Sequence, residues 1–266
     1  MLDISIIYAQ SSGMDLGLTD RVAFVTGASG AIGAATARAL ASEGARVALG
    51  YHVAREAADR LAADLEHGGG EAIAVQHDLG DPASITTAVQ AINRAWGRLD
   101  VLVASAVVWP DWPPHGGGAF LETPTEVWQQ QFRANAEGTA LTVQAVLPYM
   151  RAAGWGRIVL ISSAIADDGR PGMEAYGAAK AALHGLSRSL AWGLGTAGIL
   201  TNVVVPGLVP TERNRRFMPP VLAQVAELTP TGRLATEDEI ARVAVFLASA
   251  ANGSVTGTTV RVSGGL

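Results

Sequence analysis

The feature that most constrains the fold is an alternation of two kinds of segment along the 266-residue chain. Short runs that are apolar at nearly every position, such as 21–26 and 157–162, suit strands that are covered on both faces. Longer amphipathic stretches, such as 54–66 and 82–96, lie between them and are typical of surface helices. This order predicts an α/β fold in a single domain, with a doubly wound parallel sheet of about seven strands and helices on both faces.

Composition excludes several classes of function. The net charge of −5 and the pI near 5.5 argue against a nucleic-acid or anionic-membrane partner. Without any cysteine there is no disulfide or thiolate chemistry, and the five histidines lack ligand spacing, so we predict no metal site. We expect a cytoplasmic protein, because no apolar run approaches the ~20 residues that span a bilayer. Residues 1–16 are interpreted as an N-terminal extension without a catalytic role, ahead of a functional domain over 17–266.

A glycine-rich turn follows the first apolar run. The segment Thr26-Gly-Ala-Ser-Gly-Ala-Ile-Gly33 lies between that run and a helix-like stretch at 34–42. Glycines there allow a tight turn and let backbone N–H groups approach a pyrophosphate at a helix N-terminus. An ordinary turn between a strand and a helix is the alternative, but the placement is what a dinucleotide site requires. The predicted contacts are Gly27, Ser29, Gly30, Ala31, Ile32 and Gly33.

The end of the second apolar run bears on the choice of cofactor. An acidic residue there would bind the adenosine ribose and repel a 2′-phosphate, whereas this chain has Tyr51 and His52, with Arg55 a turn later. The sequence therefore favours NADP(H), although His52 and Arg55 as solvated surface residues are an alternative. Asp78 and Leu79 follow the third run and Ala104 ends the fourth, so the predicted contacts are Tyr51, His52, Asp78, Leu79 and Ala104.

The only lysine of the chain, Lys180, stands four residues after Tyr176. On a helix these two side chains share one face, and a nearby cation lowers the pKa of a tyrosine from its usual ~10. The pair would then donate a proton near neutral pH, as the reduction of a carbonyl group requires. A surface lysine beside a packed tyrosine is the alternative for any isolated Tyr-x-x-x-Lys.

Several ordered motifs together resemble the short-chain dehydrogenase/reductase family over about residues 18–266. They are Thr26-Gly…Gly33, Asp78-Leu79, Asn135-x-x-Gly138, Ile161-Ser-Ser163, Tyr176-x-x-x-Lys180, Pro206-Gly207-x-Val209-x-Thr211 and Gly264-Gly265. The resemblance implies a Rossmann fold and a catalytic tetrad of Asn135, Ser163, Tyr176 and Lys180. It implies that Ser163 binds the substrate carbonyl, that Lys180 holds the nicotinamide ribose and lowers the pKa of Tyr176, and that Asn135 holds a relay water. It also implies further cofactor contacts from Tyr176, Lys180, Pro206, Gly207, Val209 and Thr211.

The chain departs from the family pattern at several places. Ala31 replaces a glycine of the turn. Ala104-Ser-Ala-Val107 replaces Asn-Asn-Ala-Gly, whose asparagine normally links neighbouring strands, so another residue must supply that hydrogen bond, with Ser105 as a candidate. The next loop carries Trp109, Trp112, three prolines, His115 and Gly116-Gly-Gly118. We interpret it as the wall of a pocket for a bulky aromatic substrate, with a loop that packs its own tryptophans as the alternative. The segment 212–228 falls where the family carries its substrate lid.

These observations predict an NADPH-dependent ketoreductase that acts on a small-molecule ketone of polyketide type, as in antibiotic biosynthesis. A 3-oxoacyl-carrier-protein reductase is the alternative; Gly154 and Ala197 stand where such enzymes carry arginines that dock the carrier. A non-catalytic dinucleotide-binding sensor or scaffold is an alternative of another class. The resemblance also implies a homo-oligomer, a tetramer or a dimer, assembled through the stretches 124–152 and 175–194.

Overall fold

The computed structural model describes residues 14–110 and 119–266. Within these ranges seven strands form one parallel sheet in the order β3-β2-β1-β4-β5-β6-β7. The strands are β1 (Val22–Thr26), β2 (Arg46–Tyr51), β3 (Ala72–Gln76), β4 (Val101–Ala104), β5 (Gly156–Ile161), β6 (Ile199–Pro206) and β7 (Thr259–Val262). The predicted parallel sheet is confirmed, and β7 adds an edge strand that the apolar runs did not locate.

The helices alternate with the strands as the amphipathic stretches predicted. They are α1 (Ala31–Ser42), α2 (Arg55–His67), α3 (Pro82–Trp96), α4 (Ala119–Glu122), α5 (Thr125–Gln131), α6 (Thr139–Ala153), α7 (Ile165–Asp168), α8 (Glu174–Leu194), α9 (Glu212–Phe217), α10 (Pro219–Leu228) and α11 (Glu237–Ala248). Within the described ranges, no helix combines the length and the hydropathy needed to cross a membrane.

The topology places a crevice beside β1. This strand pairs with β2 on one side and with β4 on the other, so the chain winds outward from β1 in both directions. In open α/β sheets, ligands bind at the carboxyl ends of the strands where the winding direction reverses. Thr26 and Ala104, which end β1 and β4, are register partners at that point.

Two apolar layers cover the sheet. On one face, α1, α2 and α11 contribute Leu40, Leu61 and Ile240 to a layer that also includes side chains of the central strands. On the other face, α3, α6 and α8 supply side chains to a second layer. Because β1, β4, β5 and β6 are buried at every position, both faces of the central sheet are covered.

The stretch predicted as one helix over 124–152 is divided. A π-helical turn over Phe132–Gly138 separates α5 from α6. Its last residue must be a glycine, because a Cβ on Gly138 would lie 2.1 Å from the carbonyl oxygen of Leu79. Widened turns of this kind occur frequently at functional sites, and this one carries Asn135.

Candidate active site

The glycine turn between β1 and α1 is as tight as the sequence predicted. Gly27 has φ +65°, and a Cβ there would lie 2.7 Å from the Cα of Ala106. A Cβ on Gly33 would lie 2.3 Å from the carbonyl oxygen of Gly27. Ser29 and Ala31, at the start of α1, are exposed. The turn therefore leaves open backbone at a helix N-terminus, which fits the pyrophosphate of a dinucleotide.

Thr26 ties β1 to the segment that follows β4. Its hydroxyl oxygen accepts hydrogen bonds from the backbone N–H groups of Ser105 and Ala106, both at 3.0 Å. Ser105 was the candidate for the hydrogen bond that replaces the missing asparagine. It takes part through its backbone N–H group, and the Thr26 hydroxyl is the acceptor. This role of Thr26 was not predicted from the sequence; a hydroxyl at the end of an apolar strand is the signal that could have indicated it.

The end of β2 carries the predicted adenosine contacts. Tyr51 is buried, and His52 is more than half exposed. The His52 Nε2 atom lies 3.3 Å from Oδ2 of Asp78, whose Oδ1 accepts from the backbone of Gly80. Arg55 pairs with Asp59 instead, also at 3.3 Å. The structure thus brings His52 and Asp78 together. Leu79, which follows Asp78 in the sequence, is buried.

Ser163, Tyr176 and Lys180 come together at the carboxyl end of β5. Ser163 lies just beyond that strand, and Tyr176 and Lys180 lie one turn apart near the start of α8. The Ser163 hydroxyl lies near the Tyr176 phenol, where it acts to lower the pKa of the phenol. The Lys180 Nζ atom donates to the carbonyl oxygen of Ile161 at 2.9 Å. Ser163 is partly exposed. Lys180 is buried, so the alternative interpretation of it as a surface lysine does not hold.

Burial dominates the acid–base properties of this cluster. It raises the pKa of Tyr176 to about 12, with the nearby Ser163 hydroxyl as an opposing effect. It lowers the pKa of Lys180 to about 8. The lowered tyrosine pKa expected from the resemblance is therefore not seen in the structure, because loss of water around the phenol outweighs the stabilisation of its charged form.

Asn135 lies in the π-helical turn and is fully buried. Its Oδ1 atom accepts from the backbone N–H of Val108, and its Nδ2 atom donates to the carbonyl oxygen of the same residue, both at 2.9 Å. Nδ2 also donates to Gln131 at 2.8 Å. The relay-water role expected from the resemblance stays a prediction, and the structure adds that Asn135 fixes the segment after β4.

The motif 206–211 follows β6, on the side of the sheet where Ser163 lies. The backbone N–H of Ala164 donates to the carbonyl oxygen of Pro206 at 2.9 Å, which joins this motif to the Ser163 segment. Gly207 lies against Ser263, where an added Cβ would come within 2.9 Å, and Val209 is buried. Thr211 is the N-cap of α9, and its hydroxyl accepts from Asn214 at 3.2 Å.

Trp109 lies against Tyr176, a residue of the candidate active site. Its ring is stacked on Tyr176, with 4.8 Å between the centroids and 16° between the planes. On α9, within the predicted lid, Arg213 places its guanidinium carbon 5.8 Å from the indole centroid. Trp112, His115 and residues 116–118, the rest of the predicted pocket wall, lie outside the described residues. Among the residues that the structure describes, no group of three or more histidines and acids is arranged to hold a metal.

Known proteins resemble the chain along most of its length. The family model described as enoyl-(acyl carrier protein) reductase matches residues 27–266. The cis-4-hydroxycyclohexanecarboxylate dehydrogenase of Sinomonas cyclohexanicum is 38% identical over 92% of this chain and 96% of its own length. A 3-oxoacyl-(acyl-carrier-protein) reductase of Synechocystis sp. is 35% identical over 94% of this chain and 98% of its own.

A solved structure agrees with these sequence matches. The crystal structure of a dehydrogenase/reductase from Sinorhizobium meliloti 1021 superposes with a TM-score of 0.85 at 34% identity, and the match covers 94% of this chain and 96% of that one. The sheet order, the glycine turn at β1 and the Ser163–Tyr176–Lys180 cluster are consistent with these matches. The chain is an oxidoreductase that belongs to the short-chain dehydrogenase/reductase family.

Proposed function

We propose that the chain is an NADP(H)-dependent ketoreductase whose substrate is a bulky ketone that carries a flat ring. The observation that carries this proposal is the cluster at the carboxyl end of β5. There, the Ser163 hydroxyl lies near the phenol of Tyr176, and the indole of Trp109 lies on the phenol. A proton donor, a second hydroxyl and an aromatic surface together suit the reduction of a ring-bearing ketone.

The Tyr176 phenol is the proton donor in this proposal. With a pKa of about 12 it stays protonated at neutral pH, and an alkoxide is basic enough to take its proton. Ser163, which is partly exposed and lies beside Tyr176, orients the carbonyl oxygen toward the phenol. The reduced nicotinamide supplies the hydride when it is bound, and the protein supplies position and electrostatics.

Lys180 supports the tyrosine electrostatically. Its ammonium is held by the carbonyl oxygen of Ile161, two residues before Ser163, so its position is fixed relative to the serine. A buried cation one helical turn from Tyr176 stabilises the negative charge that develops on the phenol as the proton leaves. The ammonium also has donors for the ribose hydroxyls of the cofactor, in addition to the one used by Ile161.

The preference for NADP(H) rests on the end of β2. No acidic residue follows Gly50 there, so nothing in that stretch repels a 2′-phosphate. The His52 imidazole is exposed and lies beside Asp78, which gives the phosphate a polar neighbour with a ring N–H group to donate. The exposed backbone around Ser29 and Ala31 is the proposed site for the pyrophosphate.

The proposed substrate class rests on Trp109. An indole on the proton donor favours a flat aromatic group next to the reacting carbonyl. A relative with 38% identity is named for a hydroxylated cyclohexane ring, which agrees with a ring-bearing substrate. A polyketide-type ketone in a biosynthetic pathway is the class that we propose.

A 3-oxoacyl-carrier-protein reductase is the second candidate. Relatives of that name favour it. Against it, the positions at which such enzymes carry carrier-docking arginines are Gly154 and Ala197. Gly154 has φ +61° at the end of α6, a conformation that an arginine rarely adopts.

The test is NADPH oxidation, followed at 340 nm, against an acetoacetyl thioester and a fused-ring ketone such as 1-tetralone. The proposal predicts a higher kcat/KM for the fused-ring ketone and tighter binding of NADPH than of NADH. A higher kcat/KM for the thioester would move the protein to acyl-chain metabolism. NADPH binding without turnover of any ketone would favour the non-catalytic sensor or scaffold.

The quaternary structure and the location also belong to this proposal. We propose a cytoplasmic homo-oligomer that assembles through α5, α6 and α8. The surface of α8 presents Trp192 with 92% of its area exposed, and the π-helical turn presents Phe132 with 41% exposed. Light scattering after size exclusion tests this part, since a mass of one chain at micromolar concentration contradicts it.

A further inference from the structure

The proton donor of the proposed reaction is shielded. Tyr176 is only 4% exposed, although its partner Ser163 is partly exposed. The nearly parallel indole of Trp109, 4.8 Å away, covers one face of the phenol. A substrate carbonyl that is to reach both hydroxyl groups therefore meets an aromatic ring that already occupies space at the donor.

Trp109 is held from two sides. The residue before it, Val108, has both backbone groups bound by the buried Asn135. The indole itself is 44% exposed, and Arg213 of α9 lies 5.8 Å from its centroid, within the range of a cation–π contact. The backbone next to Trp109 is thus fixed. The indole of Trp109 lies between Tyr176 and the exposed helix α9, and rotation about the side-chain χ angles would move it away from the phenol.

We propose that Trp109 is the specificity-determining residue of the site. Its indole shields Tyr176 and must leave the phenol before a substrate can bind there. A ketone with a flat ring takes over the stacking contact that the indole gives up, whereas a small aliphatic ketone does not. This inference rests on the proposed function, since it takes Tyr176 as the proton donor to a ketone.

The size of the effect follows from the contact that is exchanged. A stacked aromatic pair adds a favourable free energy to that of the surface it buries. This added free energy changes an equilibrium constant by up to about tenfold. Removal of the indole should therefore cost the flat substrate little and benefit the small one. The expected result is a ratio of the two kcat/KM values that falls by up to about tenfold.

The kinetic test compares 1-tetralone with cyclohexanone, which lacks the fused benzene ring. In Trp109→Ala we expect the preference for 1-tetralone to shrink, mainly because cyclohexanone is reduced faster. Trp109→Phe keeps an aromatic ring and should keep most of the preference. Phe246→Ala, which removes a partly exposed aromatic ring from α11, outside the proposed interface helices, is the control. An unchanged ratio in Trp109→Ala would overturn the inference.

A second test needs no turnover. Nitration of Tyr176 by tetranitromethane, followed by peptide mass spectrometry, reports directly whether the phenol is shielded. We expect several-fold faster nitration in Trp109→Ala and no change in Phe246→Ala, with circular dichroism to verify that both variants fold. Equal rates in the wild type and Trp109→Ala would refute the shield. Faster nitration in a protein that reduces neither ketone would support the shield and reject the proposed function.

Discussion

The side-chain amide of Asn135 binds both backbone groups of Val108, accepting from its N–H group and donating to its carbonyl oxygen, each at 2.9 Å. One buried side chain of the π-helical turn thereby fixes the segment that leads from β4 to Trp109. The contact connects a residue of the proposed tetrad with the residue directly before Trp109, whose ring covers the proposed proton donor Tyr176. It also explains why Asn135 points inward from a widened helical turn.

Asn135→Ala should therefore weaken both stability and activity. The substitution removes the partners of two backbone groups of Val108, and an unsatisfied buried group costs about 1–3 kcal/mol. We expect urea unfolding to show a loss of that size, together with a lower kcat/KM. Gln129→Ala, at an exposed position of α5, is the control. A fully stable Asn135→Ala protein would show that water replaces the amide.

Thr26→Val should loosen the crevice between β1 and β4. Valine keeps the shape of threonine but cannot accept the N–H groups of Ser105 and Ala106. We expect a loss of about 1–3 kcal/mol in the free energy of unfolding and a higher Kd for NADPH by fluorescence titration. Thr26→Ser retains the acceptor and should stay close to the wild type in both measurements. Equal behaviour of the two variants would count against the role of the hydroxyl.

The lowered pKa of Lys180 predicts how activity depends on pH. Burial lowers the pKa of Lys180 to about 8 and raises the pKa of Tyr176 to about 12. Ketone reduction in this account uses a charged lysine and a protonated tyrosine, so kcat/KM should be level below about pH 8 and fall above it. The measurement is a pH profile of kcat/KM for 1-tetralone. A profile that stays level to pH 10 would show that the charge of Lys180 is not needed.

The same pKa shift predicts how stability depends on pH. The pKa of Lys180 is lowered from 10.5 to about 8 on folding, so between these values the unfolded chain binds more protons and this group makes stability rise with pH. Below about pH 8, the full cost of burying the charge is present, about 3 kcal/mol at about 1.4 kcal/mol per pKa unit.

Lys180→Met should accordingly raise the free energy of unfolding at pH 7. The expected gain is about 1–3 kcal/mol, because loss of the bond to Ile161 offsets part of it. Urea titrations of the variant and the wild type at pH 7 and pH 10 measure this gain, which should shrink at the higher pH. A variant less stable than the wild type at pH 7 would contradict the account. Activity should be lost in the variant whatever its stability.

His52→Asp tests the choice of cofactor. An acid at the end of β2 binds the adenosine ribose and repels a 2′-phosphate. The substitution also removes the imidazole that lies 3.3 Å from Asp78, so a polar partner for the phosphate is replaced by a negative charge. We expect the ratio of the two Kd values, NADPH over NADH, to rise by at least tenfold, as measured by isothermal titration. A ratio that does not move would place the 2′-phosphate elsewhere.

The sequence predicted much of this architecture, since continuous apolar runs indicate strands buried on both faces and the ordered motifs indicate the family. It could not predict contacts that depend on distant segments. The π-helical turn around Asn135 rests on Val108 and on the close approach of Gly138 to Leu79. The stacking of Trp109 on Tyr176 joins a residue of the loop after β4 to the start of α8. No spacing along the chain indicates which of the six tryptophans makes that contact.

The central claim is that Tyr176 donates the proton to a ketone. The most direct measurement is kcat for 1-tetralone in Tyr176→Phe and in the wild type, with NADPH binding measured alongside by fluorescence. General acid catalysis contributes about 10²–10⁴-fold, so the account predicts a loss of kcat in that range with the Kd for NADPH nearly unchanged. A variant that retains more than a tenth of the wild-type kcat while it binds NADPH normally would contradict the account.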